Sequence, residues 1–581
     1  MKFPLDLILE SLKNALDQKF GQDIPFSPIV EPCSNPSFGD FQSNIAFVIA
    51  QALKENPRKL ALELANAMGE SSVIFHPEVG GNGFLNFKVK PNAYLKAFLA
   101  MRSDPRLGIE QTKEPQTIVL DFSSPNIAKQ LHVGHLRSTI LGDVLRRLNL
   151  FLGHRVISDN HLGDWGTQFG MVILGYKKYG NESDLLTRPL EYLEELYVKI
   201  QKESIDSGQL REEAKKELQK LQSGDAENTR LWANFVNASL GELDKIYKRL
   251  NVKFDFSLGE SFYNPMLGQI VEELLKKGIA QQSEGAVCVF FGKDFPELTD
   301  KPMLIRKSDG AFLYATTDIA TLLFRIQNWN AQRIIYVTDA RQKLHFSQLF
   351  ALAQILGINV RLEHVYFGSI LGEDKKPLKT REGTSIKLRE LLEEAENRAY
   401  ELIEAKRKDL SEEKKREIAR AVGVGALKYA DLSQNRILDY IFKWEKLLSF
   451  DGNTAPYLIN AHVRICSILK KASSQGYYST LGFTSLKFET EELQPQEIEL
   501  LKTLLSFKYA LNLAIEENSP HHLCNYLYSL AKDFHKFYEL CPVLGAPTPY
   551  IRERRIAFCE CTAQTLALGL NLLGIEALQE M

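Results

Sequence analysis

At 581 residues, the chain is long enough for several domains of about 100–200 residues each. Hydrophobic residues make up 44% and charged residues 25%, an ordinary globular balance, and no run approaches the ~20 apolar residues of a membrane span. A net charge of −2 neither supports nor excludes an RNA partner, which needs only local basic patches. Seven cysteines without paired spacing point away from disulfides and structural zinc.

The N-terminal stretch has no apolar signal core and carries Asp6 early, which predicts a cytoplasmic protein. Leu5, Ile8, Leu9, Leu12, Ala15, Leu16 and Phe20 make the stripe of an amphipathic helix. A turn-rich loop, Pro36 to Phe41, precedes a second helix running to about Leu53, and a third is expected near Leu60 to Met68. Gly80-Gly81-Asn82-Gly83 and then Phe84 to Val89 read as a turn and an alternating strand. These elements predict an α+β module over residues 1–112.

Thr117-Ile118-Val119-Leu120-Asp121-Phe122 is a β-branched run stopped by Ser123, Ser124, Pro125 and Asn126, the pattern of a buried strand. Lys129 and His132-Val133-Gly134-His135 follow, then a helix with Leu136, Ile140, Val144 and Leu148 on one face, and a second strand at Arg155 to Ser158. This is a βαβ unit with its chemistry at the strand-to-helix switch, a natural phosphate site. Gly134 leaves room for close backbone approach. His132 and His135, three apart, can both face one phosphate and donate to its oxygens as charge builds. The bland alternative is a pair of helix-capping histidines. Neither a Gly-x-Gly-x-x-Gly nor a P-loop motif is present, so dinucleotide and P-loop readings lose support.

Residues 182–252 read as helices inserted into the nucleotide fold. Strand signals return at Val287–Phe291, Met303–Ile305 and Phe312–Tyr314, then a strand at Arg333–Val337, a helix from about Gln342 to Ile355 and a strand at His364–Gly368. A split parallel sheet is expected. Gly372 to Gly383, rich in Lys, Arg, Gly and Pro, predicts a cationic loop near a leaving pyrophosphate; its bland reading is solvated surface. From Leu388 the chain reads as helix, interrupted at Asp451 to Tyr457.

The stretch Asp121-Phe122-Ser123-Ser124-Pro125-Asn126-Ile127-Ala128-Lys129, with His132-Val133-Gly134-His135-Leu136-Arg137-Ser138-Thr139, resembles class I aminoacyl-tRNA synthetases, specifically the arginyl family. Leu162-Gly163-Asp164-Trp165-Gly166 and Ala461-His462-Val463-Arg464 extend the resemblance over nearly the full chain. It implies a multidomain α/β protein. A Rossmann-like catalytic domain with a split parallel sheet is expected at 113–387, with a helical insertion at about 182–300. A helical stem at 388–450 and an anticodon-binding all-helical domain at 451–581 would follow, and 1–112 would contact tRNA.

The resemblance also implies roles. The 372–383 loop would correspond to the second class I signature, but Thr380 stands where a lysine is usual. Lys129 would compensate, supported by Lys379 and Arg381. ATP, as its Mg²⁺ complex, would meet Lys129, His132, Gly134, His135 and Lys379. Asp121, Asn126, Tyr314, Asp318 and Gln342 would form the arginine pocket, where carboxylates suit a planar guanidinium fork. The alternative for Asp318 is a cap on a helix beginning at Ile319. The expected activity is ligation of arginine to its tRNA through an arginyl adenylate, by a cytoplasmic monomer with no membrane partner and no structural zinc. A small-molecule nucleotidyltransferase with the same histidine signature is the alternative.

Overall fold

Four short strands rich in Val, Ile and Leu pair in parallel at the centre of the chain: β1 (Thr117–Asp121), β2 (Arg155–Asp159), β3 (Arg333–Tyr336) and β4 (Arg361–His364), in the order β4-β3-β1-β2. The computed structural model describes residues 2–21, 26–33, 35–206, 208–376, 378, 386–479 and 493–581. Register places Asp121 opposite both Asp159 and Tyr336, so three strands end at one level. From β1 the chain steps to one side, and later returns to build on the other. The crevice beyond the carboxyl ends of β1 and β3 is therefore a topological switch point, where such sheets hold ligands.

The first crossover helix, α1 (Val133–Phe151), buries Leu136, Ile140, Leu141, Val144, Leu145 and Leu148 against the sheet. After β2, helices over residues 167–249 pack as an inserted bundle. Then come α2 (Glu260–Lys276) and a three-stranded antiparallel sheet spanning residues 280–306. The main sheet resumes with α3 (Tyr314–Trp329), β3, α4 (Lys343–Ile355) and β4. Two expectations shift here. The strand expected at His364–Gly368 lies earlier, at Arg361–His364; beyond it Val365 and Phe367 are buried, and pairing continues only through the Val365 N–H to the Tyr336 carbonyl and an isolated bridge between Phe367 and Asp339. The strand expected at Phe312–Tyr314 is an extended approach with one bridge, Arg306 to Phe312, and then the start of α3.

A short strand, β5 (Ile370–Leu371), leads toward α5 (Leu388–Lys406) and α6 (Glu412–Leu432) and pairs in parallel with β6 (Tyr440–Ile441). The chain ends in a helical domain whose principal members are α7 (Ala455–Ser474), α8 (Pro495–Leu505), α9 (Phe507–Glu516), α10 (His521–Leu540) and α11 (Pro549–Leu572).

The N-terminal module sets four helices against a four-stranded antiparallel sheet. Asn56 opens one of these helices by accepting the Arg58 and Lys59 N–H groups. The module packs onto the C-terminal helices. Phe98 meets Phe558 edge-to-face at 4.9 Å, and Asp6–Lys508, Asp40–Lys502 and Arg102–Glu560 close ion pairs of 2.8–2.9 Å. Among the described residues, no helix is long and apolar enough to cross a membrane.

Candidate active site

Between β1 and α1 the loop coils tightly, with Ser123, Ser124 and Ala128 at φ +70°, +47° and +64°. Such backbone persists only where its surroundings fix it, and here they do. The Ser123 N–H donates to Ser138 Oγ (2.9 Å), whose hydroxyl donates to the Val337 carbonyl (2.6 Å), and the Ser124 N–H donates to Asn160 Oδ1 (3.1 Å). The loop delivers His132 as the cap of α1. His132 Nδ1 accepts the Gly134 N–H at 3.1 Å, and the His132 N–H donates to His135 Nδ1, also at 3.1 Å. Gly134 is required by this cap itself, because a Cβ there would stand 2.9 Å from the His132 ring.

The capping and phosphate roles of the histidines are therefore compatible. Both rings accept through Nδ1, so in the neutral form each carries its proton on Nε2 as a free donor. Burial, then the Lys387 charge, lowers the His132 pKa; burial, then His132, takes His135 down to about 3. Near pH 7 the pair offers two neutral N–H donors whose rings lie 4.0 Å apart.

These rings line a cleft of about 450 Å³ shared with Asn126, Lys129, Glu194 and Lys387. The Lys129 ammonium sits 4.9 Å from the Tyr197 ring centroid, and Glu194 holds Lys387 at 2.6 Å and Gln130 at 3.2 Å. Lys387 escaped the sequence reading because it lies beyond the expected signature loop. The backbone places it here: the Val133 N–H donates to the Ile386 carbonyl (3.0 Å) and the Leu388 N–H to the Leu131 carbonyl (2.8 Å). The far end of the loop is thus stitched to the histidine turn. Lys379 and Arg381 lie outside the described residues.

A second cluster lies along α3. This helix begins at Tyr314, capped by Leu313, so Asp318 is its fifth residue and no cap for a helix at Ile319. Its Oδ2 lies 2.6 Å from His345 Nε2, and the exposed Tyr314 ring meets His345 edge-to-face at 4.9 Å. Gln342 caps α4 one turn before His345. The structure therefore brings Tyr314 and Asp318 together through His345, an unforeseen member, with Gln342 one turn away at the start of α4.

Glu260, the first residue of α2, is another. Burial raises its carboxyl to about 7; His161 opposes this, while Asp318 and Asp164 add to it. Asp164 of the Gly-Asp-Trp-Gly turn fixes the start of α2 by accepting the Ser261 N–H (2.9 Å) and hydroxyl (2.6 Å).

Asp121 and Asn126 stand apart from that group. Asn126 is exposed at the cleft and bridges to Gly163. Asp121 is buried; Ser124 donates to its Oδ1 (2.9 Å), and Arg325 Nη2 lies 2.7 Å from both Asp121 Oδ2 and Asp159 Oδ2. Arg325 is completely buried, and the two carboxylates hold it charged against the desolvation cost.

In the C-terminal domain, Tyr457 is 2.9 Å from His535 Nδ1 through its hydroxyl and 5.5 Å from the Tyr528 ring. Arg464 lies over Tyr538 at 4.8 Å. These side chains are half-buried apart from the exposed Arg464, whereas His462 is buried against the Leu578 carbonyl at 2.7 Å.

Three family models match the chain in series. They are the arginyl tRNA synthetase N-terminal domain over residues 6–89, the class I (R) tRNA synthetase catalytic domain over 98–444 and the DALR anticodon binding domain over 458–581. An arginine–tRNA ligase of Trichodesmium erythraeum is 42% identical over 99% of this chain and 100% of its own length. The solved arginyl-tRNA synthetase of Plasmodium falciparum superposes with a TM-score of 0.81 at 29% identity, covering both chains fully. That of Thermus thermophilus gives 0.83 at 25% identity over 99% of each.

Proposed function

Since the chain belongs to the arginyl-tRNA synthetases, class I enzymes that ligate arginine to tRNA, we propose that the cleft at the head of α1 forms arginyl adenylate. The arginine carboxylate attacks the α-phosphorus of ATP, the bond to the β-phosphate breaks, and pyrophosphate leaves with its Mg²⁺. A ribose hydroxyl of the terminal tRNA adenosine, the 2′-hydroxyl, then attacks the arginyl carbonyl and AMP departs. The observation that carries this reading is the pair of Nε2–H donors at the start of α1. Oriented donors in a sheltered cleft stabilise charge as it develops, which is most of what phosphoryl transfer asks of a protein.

In this reading His132 and His135 hold the phosphates. Lys129 neutralises the leaving pyrophosphate, with Lys379 and Arg381 assisting from the loop. Asp318, Tyr314, Gln342 and Asn126 receive arginine, and Glu260 and His345 shape that chamber. Asp121 supports it from below through Arg325. The strip of Tyr457, Tyr528, His535 and Tyr538, with Arg464, suits stacking on splayed anticodon bases. We place the enzyme in the cytoplasm as a monomer.

The test is charging of tRNA with each amino acid in turn, together with single-turnover adenylate formation. Charging restricted to arginine, and a Lys129→Ala variant slower than Lys379→Ala, is the expected result. Dominance of Lys379 would overturn the role given to Lys129.

A further inference from the structure

Arg137 follows His135 by two residues and so lies on the other side of α1, away from the cleft. It is 1% exposed, and its guanidinium reaches three separate parts of the chain. Nη1 donates to the carbonyls of Gly368 (2.7 Å) and Leu438 (3.3 Å), Nη2 to that of Arg436 (3.4 Å), and Nε lies 2.9 Å from Asp431 Oδ2 on α6. Asp431 is itself buried and hydrogen-bonded by Tyr440.

Each contact leads somewhere. Gly368 stands two residues before β5, where the chain departs toward the signature loop, and that loop returns at Ile386–Lys387 against His132 and Val133. Arg436 extends the connection outward: its Nη1 donates to the Tyr366 carbonyl (2.7 Å) and its Nε to the Asn518 carbonyl (3.0 Å), between α9 and α10. Asn518 in turn donates to Glu363 on β4 (2.8 Å). A lysine has no rigid fork with which to hold carbonyls in three directions.

We propose that Arg137 is a positioning residue for adenylate formation. Through Asp431 on the stem helix α6, and through Arg436, which reaches the Asn518 carbonyl of the C-terminal domain, it sets the histidine pair against both ends of the signature loop. The inference rests on the adenylation reading above. A residue that only stabilised the fold would lower melting temperature and leave the histidines of folded protein in place. A residue that aims them changes turnover, because displacing a reacting group by about 1 Å can cost on the order of 10²-fold.

The experiment is a double-substitution cycle in the full-length enzyme with tRNA present. Arg137→Lys and, separately, Asp431→Asn are combined with His132→Asn, and single-turnover adenylate formation is read well below the unfolding temperature. We expect Arg137→Lys to slow turnover roughly ten- to hundredfold with the arginine KM within about twofold. In the His132→Asn background it should add less than about twofold, since sites acting as a unit are not additive. Asp431→Asn, which keeps shape and volume, should show the same pattern and serves if the lysine variant does not fold. Equal losses in both backgrounds, or a lowered melting temperature with unchanged turnover, would overturn the proposal. Absence of arginine-dependent adenylate in the unsubstituted enzyme would instead overturn the adenylation reading.

Discussion

Replacing His132 by asparagine should separate two roles that one ring combines. His132 caps α1 through Nδ1, 3.1 Å from the Gly134 N–H, and leaves Nε2–H facing the cleft. Asparagine is among the best N-cap residues, so His132→Asn retains an acceptor for the helix, while its shorter amide withdraws the donor that Nε2–H presents to the cleft. Its stability should stay within about 0.5 kcal/mol of the original, whereas His132→Ala, lacking any cap, should lose about 1 kcal/mol. Turnover should fall in both. Removing one donor to developing charge costs roughly 10²–10³ in kcat, about 2.7–4 kcal/mol of transition-state stabilisation. ATP–pyrophosphate exchange at saturating arginine, ATP and tRNA measures the first quantity, and urea unfolding the second. The reasoning fails if His132→Asn turns over within threefold of the original, or if it is as destabilised as His132→Ala.

Three further outcomes are expected. Asp318→Asn keeps an acceptor for His345 but loses the charge meant for a guanidinium; the arginine KM should rise at least about tenfold with the ATP KM unchanged, and an unchanged arginine KM would return Asp318 to a structural role. Arg325→Met leaves Asp121 and Asp159 buried without their cation and should cost about 3–5 kcal/mol in urea unfolding, while a loss below about 1 kcal/mol would show that the carboxylates never needed it. Because the Glu260 carboxyl titrates near 7 and is neutral below that pH, arginine affinity should weaken as pH falls from 8 to 6, approaching tenfold per unit below 7; Glu260→Gln should flatten that dependence, and an identical pH profile would remove Glu260 from the chamber.

What the sequence disclosed was local. The strand, the Ser-Ser-Pro stop, the histidine turn and the stripe of α1 are consecutive, and each carries its own propensity, so β1 and α1 emerge where expected. Phe312-Leu313-Tyr314 misleads because three apolar residues suit a strand equally well, although Leu313 is an extended cap. Partnerships across distance left no trace in the pattern. Asp318 meets His345 27 positions away, and Asp121 meets Arg325 204 positions away, so neither carboxylate's environment could be inferred from its neighbours. Lys387 was hidden for the same reason, being brought to the histidines by backbone pairing with His132 and by the Glu194 carboxylate, 193 positions away.

The contact between the two ends of the chain changes how truncations must be interpreted. Asp6 and Lys508 are 502 positions apart, yet with Phe98 and Phe558 they make one seam between the N-terminal module and the C-terminal helices. Cutting away either terminal domain uncovers an apolar face that water should not meet, so an inactive fragment reports a sticky surface as much as a lost RNA contact. A nucleic acid touching both ends would find their spacing already set by this seam. The second contact would then follow the first without linker entropy to overcome, and avidity would come from rigidity instead of tethering.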